Sequence, residues 1–257
     1  MFFVLNKQKI YTYLVSIITV VLLFCVASSL NTNTGNTIAT SSTTQKQLPI
    51  YKVQTNENKV AFTMNCAWNA DDIDSILKTL EENNTKITFF MVGDWIEKFP
   101  ETVKKIHEAG HEIASHSDTH PHVNNLTYEK NIEEIEKSND KIEKITGKRT
   151  KIYRAPYGEY NDTVIKAAVD KGYYIIQWNL DTLDYTGLTG EEMWKRIDGK
   201  IKSGDIILSH NGTKHTADSL DMLLKNIKQK GLEVVTISDL IYFENYTINS
   251  NGTQIQK

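Results

Sequence analysis

The chain has 257 residues, 40% hydrophobic and 24% charged, with a net charge of −3, which suits one domain of roughly 200 residues plus an appendage. There is no basic field and no Lys/Arg stripe interleaved with aromatics, so nucleic acid is excluded as the expected partner and a neutral polymer or small molecule fits better. The chain is read as a monomer.

Residues 10–30, IYTYLVSIITVVLLFCVASSL, carry no charge and follow Lys7 and Lys9, which would keep the N-terminus in the cytoplasm. At about 1.5 Å per residue they reach across a ~30 Å hydrocarbon core. Residues 1–30 are therefore a membrane anchor or a cleavable signal, since Ala27-Ser28-Ser29 offers small residues to a signal peptidase. Either way the remainder is exported, and an uncleaved segment makes the membrane a partner. Cys25 follows the bulky Phe24, which argues against lipidation. The exported part then holds a lone thiol, Cys66, and no internal disulfide.

Residues 31–57 are read as a flexible polar linker, because NTNTGNTIATSSTTQKQLP (31–49) is small, polar and aperiodic and buries too little to offset its ordering entropy. Strand VAFTM (60–64) leads to a helix with Ile73, Ile76, Leu77 and Leu80 on one face, and strand KITFFMV (86–92) follows. A helix near 100–109 ends at Gly110, before strand HEIAS (111–115). A long helix after Thr127, with Ile132, Ile135, Ile142 and Ile145 on one stripe, closes at Gly147. Strand KIYR (151–154), a helix from Asn161, strand YYIIQWNL (173–180) and a helix from about Gly190 come next. Strand GDIILSH (204–210), a helix with Leu220, Leu223, Leu224 and Ile227, and strand LEVVTI (232–237) complete the series. Seven alternations predict an α/β fold with a mainly parallel sheet, closed into a barrel, over residues 58–243. Residues 244–257 are left as a polar C-terminal tail. Functional groups should gather at the C-terminal ends of the strands.

Polar residues do end these strands: Asn65, His116 and His120, Arg154, Asp181 and Asp184, and His210. In SHSDTHPH (115–122), two histidines four apart can converge on one metal and leave a carboxylate to complete the ligands. His122 is read as an exposed neighbour and His111 as a hydrogen-bonded structural residue. In RAPYG (154–158) a rigid turn can aim a backbone N–H at a developing oxyanion, while Arg154 holds a partner side chain. His210, supported by Asp181 or Asp184, can protonate a leaving amine. Together these residues point to metal-assisted amide or ester hydrolysis.

The order Asn65, His116-Ser-Asp-Thr-His120, Arg154-Ala-Pro-Tyr-Gly158, Asp181-Thr-Leu-Asp184-Tyr185, Leu208-Ser-His210 resembles the polysaccharide deacetylase family, the NodB-homology or carbohydrate esterase 4 domain, with four of its five motifs matched. The resemblance implies a distorted (β/α)7 barrel, a divalent metal, usually zinc or cobalt, and removal of N-acetyl groups from cell-wall peptidoglycan or related glycans. It implies His116 and His120 as metal ligands, His210 as general acid with Asp184 as its carboxylate partner, Arg154 as the residue orienting the base, and Tyr157 as backbone oxyanion donor. Tyr157, Tyr185 and Trp68 would line the sugar groove, Tyr185 standing where the family has a tryptophan.

The first motif departs from the family. TFDDG supplies a base and then a metal ligand; here those positions hold Asn65 and Cys66. The stretch CAWNADD is similar to a variant in sporulation-type deacetylases of Gram-positive bacteria, in which a slightly later carboxylate serves the metal. Asp72 is the first expectation for that ligand, Asp71 the second, and a Cys66 thiolate a third. Asn65 cannot take up a proton. Either another group is the base, Asp71 or metal-bound hydroxide, or turnover is weak, or the domain binds glycan without cleaving it.

Overall fold

In a computed structural model of the protein, the described residues are Tyr11, 15–21 and 48–257. Residues 15–21 are helical, and no helix among the described residues is long and apolar enough to cross a membrane. Most of the expected anchor or signal, and the linker as far as residue 47, lie outside the described residues.

The barrel is built around β2 (Lys59–Cys66), whose side chains alternate between two buried layers. Val60, Phe62, Met64 and Cys66 join the apolar layer beneath the helices, whereas Ala61 packs in the interior with Phe90, Ala114 and Ile176. Thr63 and Asn65 share the interior face with Ala61, as a period of two requires. Around β2 the parallel sheet runs in the order β6, β5, β4, β3, β2, β8, β7, with β9 (Glu233–Val235) pairing the start of β2. Here β3 is Thr88–Met91, β4 Glu112–Ser115, β5 Ile152–Tyr153, β6 Tyr174–Ile175, β7 Leu180–Asp181 and β8 Ile206–His210.

The helices cover the outside. Among them α1 (Ile73–Glu82), α4 (Tyr128–Thr146) and α7 (Thr216–Gln229) are the longest. Their ends follow from local chemistry. The Thr127 hydroxyl accepts from Lys130 N to start α4, and Gly147, at φ 72°, ends it in the left-handed region that a side chain would resist.

The expected strand YYIIQWNL is two strands rather than one. Its start pairs with β5 and its end with β8, so one short run touches both edges of the curled sheet. Between them Ile176 N donates to Tyr153 O, and Gln177 N turns to Ile50 O. The strong twist of a small barrel cannot keep eight residues on one neighbour. In α4 the buried stripe is Asn131, Ile135, Ser138, Asn139 and Ile142, with Ile132 and Ile145 half-buried at its margins. A short helix, α2 (Gly93–Lys98), was not legible because its six residues are fewer than two turns.

The domain bounds also need correction. Ile50 and Val53 are buried, and β1 (Lys52–Val53) pairs with β11 (Thr253–Gln256) in a separate three-stranded sheet with β10 (Tyr246–Ile248). Thus 48–57 is not linker and 244–257 is not a loose tail. Polar composition concealed both because they are held by backbone pairing and by one amide: Tyr242 N donates to Gln254 Oε1 at 2.9 Å, and Gln254 Nε2 donates to Tyr242 O at 2.5 Å. Gln254 is fully buried. Gln254→Ala leaves both backbone groups without partners and should cost about 1–3 kcal/mol in urea unfolding; a loss below a few tenths would show that this sheet merely rests on the barrel.

Candidate active site

The strand ends converge on a cleft of about 470 Å³ lined by Asn65, Trp68, His116, His120, Tyr157, Asp181 and His210, among others. Beneath it lies Arg154, fully buried. Its Nη1 donates to Thr63 Oγ1 and to Asn65 Oδ1, each at 2.9 Å, and Nε and Nη2 donate to the carbonyls of Ile176 and Gln177. Its guanidinium lies 3.8 Å from the centre of the Phe90 ring. Burial pulls the Arg154 pKa down, with the charge of Asp181 opposing. The partner expected of Arg154 is present at residue 65, but as a neutral amide.

His116 is buried, and its Nδ1 meets Arg154 O at 2.8 Å. A carbonyl only accepts, so Nδ1 carries the proton and Nε2 keeps its lone pair. The His120 ring lies 4.9 Å from that of His116, centre to centre. Burial first, then the neighbouring His120, hold His116 well below its ordinary pKa; burial likewise lowers His120. Ser117, His120 and Tyr157 all have φ between 57° and 70°, a concentration of uncommon backbone at one place.

That loop is clamped by a residue the sequence reading missed. Glu134 of α4 accepts from Ser117 Oγ, Asp118 N, Thr119 N and Thr119 Oγ1. Burial pushes its pKa up, but these hydrogen bonds outweigh burial and bring it below the usual value. Polar residues flanking the buried stripe of α4 were the available signal. Gly93 supports the same loop from below: a Cβ there would stand 2.0 Å from Asp118 Oδ1.

On the opposite wall, Asp184 is fully buried and accepts four hydrogen bonds, from His210 Nδ1 (2.9 Å), Tyr185 N, His210 N and Thr216 Oγ1. His210 Nε2 is thereby turned away from Asp184. Trp68 and Tyr185 flank the His210 ring at 5.4 and 5.3 Å, and both are half exposed. Across the cleft Tyr157 is exposed, with its ring stacked on His122 at 4.4 Å. Asp181 lines the cleft but its Oδ1 accepts from Leu183 N, so Asp184 rather than Asp181 is the histidine's partner.

The expected carboxylates of the first motif do not reach this cleft. Asp72 caps α1, and its oxygens accept from Asn211 Nδ2 (3.1 Å) and Gly212 N (2.7 Å). Asp71 is exposed and is not among the residues lining the cleft. Cys66 is fully buried among apolar side chains, and burial pushes its thiol pKa well up, with the charge of Asp72 adding to it. Among the described residues no three His, Cys, Asp or Glu side chains group to hold an ion. Asp72, expected as third ligand, is engaged by Asn211 and Gly212, and neither Asp72 nor the alternatives Asp71 and Cys66 is among the residues lining the cleft. Asp72 instead ties the loop after β2 to the loop after His210.

A family profile for polysaccharide deacetylase matches residues 52–176. A peptidoglycan-N-acetylglucosamine deacetylase of Bacillus cereus is 30% identical over 72% of this chain and 69% of its own length. The chain belongs to the polysaccharide deacetylase family. The curled parallel sheet is accordingly the distorted (β/α)7 barrel of the NodB-homology type, and the family is one of hydrolases acting on carbon–nitrogen bonds other than peptide bonds. The Bacillus subtilis protein YlxY, described as uncharacterized, is 35% identical over 75% of this chain, which spans only 60% of YlxY's length. Among solved structures, a wild-type CE4 family pseudoenzyme from Bacillus anthracis is 32% identical with a TM-score of 0.72, covering 75% of this chain and 68% of its own. Deacetylases of this polysaccharide family generally depend on a divalent metal; here two histidines fit such an ion, and among the described residues no third His, Cys, Asp or Glu groups with them.

Three of the buried or half-buried histidines, His111, His116 and His120, carry a pH signature. His111 accepts from Ile87 N through Nδ1, and burial lowers its pKa from 6.5 to about 4. His111, His116 and His120 therefore bind protons more readily in the unfolded chain than in the fold. Below the unfolded value the unfolded state takes up more protons, so stability falls with pH. The urea midpoint should drop between pH 7 and pH 5, before carboxylates titrate, and His111→Asn should flatten part of that slope. A midpoint constant over this range would contradict neutral burial of these rings.

Proposed function

We propose that this chain is an exported polysaccharide deacetylase that takes N-acetylated amino sugars of cell-wall peptidoglycan in the cleft and removes their acetyl groups slowly. One observation carries the reading: the Asp184–His210 pair stands complete beside a cleft whose opposite contribution, Asn65, is an amide. A hydrogen-bonded Asp184 holds the imidazole in one tautomer and supports its charge, so His210 Nε2 is suited to protonate the departing sugar amine. Trp68, Tyr185 and Tyr157 offer aromatic faces to the pyranose rings. Tyr157, in its left-handed turn, is the candidate backbone donor to the oxyanion.

At the end of β2 no carboxylate faces this acid, and Asp181, which lines the cleft, already accepts from Leu183 N. Asn65 has no proton-accepting carboxylate, and neither Asp71 nor Asp72 lines the cleft. The same observation, with the incomplete ligand set, favours a second reading in which the domain binds wall glycan without turning it over. One solved relative is a mutant of a CE4 family pseudoenzyme with restored enzymatic activity, at 32% identity and a TM-score of 0.72 over 75% of this chain and 71% of that one.

Acetate release from purified wall fragments separates the two readings. A slow deacetylase should release acetate at a measurable rate, Asn65→Asp should raise that rate by roughly 10²-fold or more, and His210→Ala should lower it by roughly 10²–10⁴-fold. No acetate from the wild type and none from Asn65→Asp, with glycan still bound, would establish the silent binder instead.

A further inference from the structure

The end of the barrel away from the cleft holds a second cavity, of about 380 Å³, whose lining includes His111, Lys148, Thr150, Lys151, Ile152 and Phe243. His111 directly precedes β4 and Lys151 directly precedes β5, so this cavity lies at the N-terminal ends of the strands. That face of a β/α barrel ordinarily serves stability alone. Here it carries a buried polar group that the packing leaves unfinished. His111 is only 5% exposed, and its Nδ1 accepts from Ile87 N at 3.3 Å. In a neutral ring with Nδ1 as acceptor, Nε2 carries the proton, and burial, with the nearby charge of Lys86, keeps the ring neutral. Among the described residues nothing accepts from Nε2. With Ile87 on Nδ1 and the Phe89 ring 5.4 Å away, the cavity is the space left to that N–H.

The other uncommitted groups are donors too. Lys148 and Lys151 are exposed, and neither has an ion-pair partner among the described residues. The Thr150 hydroxyl oxygen accepts from Ile152 N, and its proton has no acceptor among the described residues. Arg149 and Glu112 also line the cavity, but both are engaged. Arg149 pairs with Glu136, Asp140 and Glu143, while the Glu112 oxygens accept from Thr88 Oγ1, Ser238 N and Ser238 Oγ. A matching ligand must therefore bring oxygens and negative charge. Phe243, 41% exposed and packed edge-to-face with Tyr174 at 5.0 Å, offers aromatic surface for a sugar ring. The volume suits a small ligand.

The geometry points to a second binding site, on the face opposite the cleft, for a sugar unit bearing an acidic oxygen group, with His111 Nε2 donating to that group and Lys148 and Lys151 balancing its charge. The acid is a phosphate ester or a carboxylate, two sources of the same oxyanion chemistry. This site stands apart from the deacetylase reading, since it requires neither turnover nor a metal. A polymer carrying such units is held here independently of the cleft.

Calorimetry on the intact protein with glucose-6-phosphate, glucuronate and glucose tests it. At least one of the two acids should bind about tenfold more tightly than glucose, as one hydrogen bond to a charged group supplies, and the tighter of the two names the source. Added salt should weaken that binding and leave glucose unaffected. Lys148→Ala combined with Lys151→Ala, both at exposed side chains, should remove most of the preference with the fold intact. In the wild type, the His111 ring resonances should shift with the acidic sugar while those of His116 and His120 stay in place. No preference for either acid over glucose, a preference kept in the double variant, or shifts at His116 and His120 in place of His111 would overturn the site.

Discussion

Arg154 is a guanidinium held out of water without a carboxylate among its hydrogen-bond partners, and the centre of the molecule is arranged around that constraint. An isolated buried charge costs several kcal/mol unless its donors are met. Here the cost is spread over Thr63 Oγ1, Asn65 Oδ1, the carbonyls of Ile176 and Gln177, and the face of Phe90. These acceptors come from β2 and from the run that bridges the two edges of the sheet, so satisfying one side chain also fixes how the barrel closes. The carbonyl of Arg154 in turn holds His116 in one tautomer. A single buried cation therefore links barrel closure, the orientation of residue 65 and the orientation of a cleft histidine.

The two walls of the cleft differ in how completely they are built. The acid wall has a buried carboxylate with four hydrogen bonds and a histidine fixed by it. The histidine wall is equally well supported, with Glu134 clamping the loop between His116 and His120. What is missing is negative charge at the end of β2. Asn65 and Cys66 remove two carboxylates at once, and the strand's alternation sends Cys66 into the apolar layer. Asp72 is engaged elsewhere, by Asn211 and Gly212. It has become a strut, joining the loop that carries Trp68 to the loop after His210, where Gly212 at φ 70° leaves room for Asn69. A CE4 family pseudoenzyme is among the solved structures that this chain resembles.

Much of this was legible in the sequence because the underlying signals are strong. Short apolar runs such as VAFTM and KITFFMV alternating with amphipathic helices, helices ended by Gly110 and Gly147, and histidines and aspartates at strand ends pointed to the barrel and the His210–Asp184 pairing. The losses have physical reasons. YYIIQWNL reads as one strand because composition carries no record of which neighbour each half pairs with. Residues 48–57 and 244–257 read as polar loops because their order comes from backbone pairing and from Gln254, which no hydrophobic period marks. The hydrogen bonds of Asp72 to Asn211 and Gly212 were not legible because those partners lie some 140 positions away in the chain. Glu134 was hidden among the other acidic residues of an amphipathic helix.

The central claim is that residue 65 is a neutral amide fixed by Arg154, in a cleft where two histidines have no grouped third ligand among the described residues. The measurement that tests it most directly is a crystal structure with zinc and an N-acetylated chitooligosaccharide both supplied. The account predicts Asn65 Oδ1 on Arg154 and no ion held by three protein ligands. An ion bound by His116, His120 and Asp71 or Asp72, with the acetyl oxygen directed to it, would contradict the account.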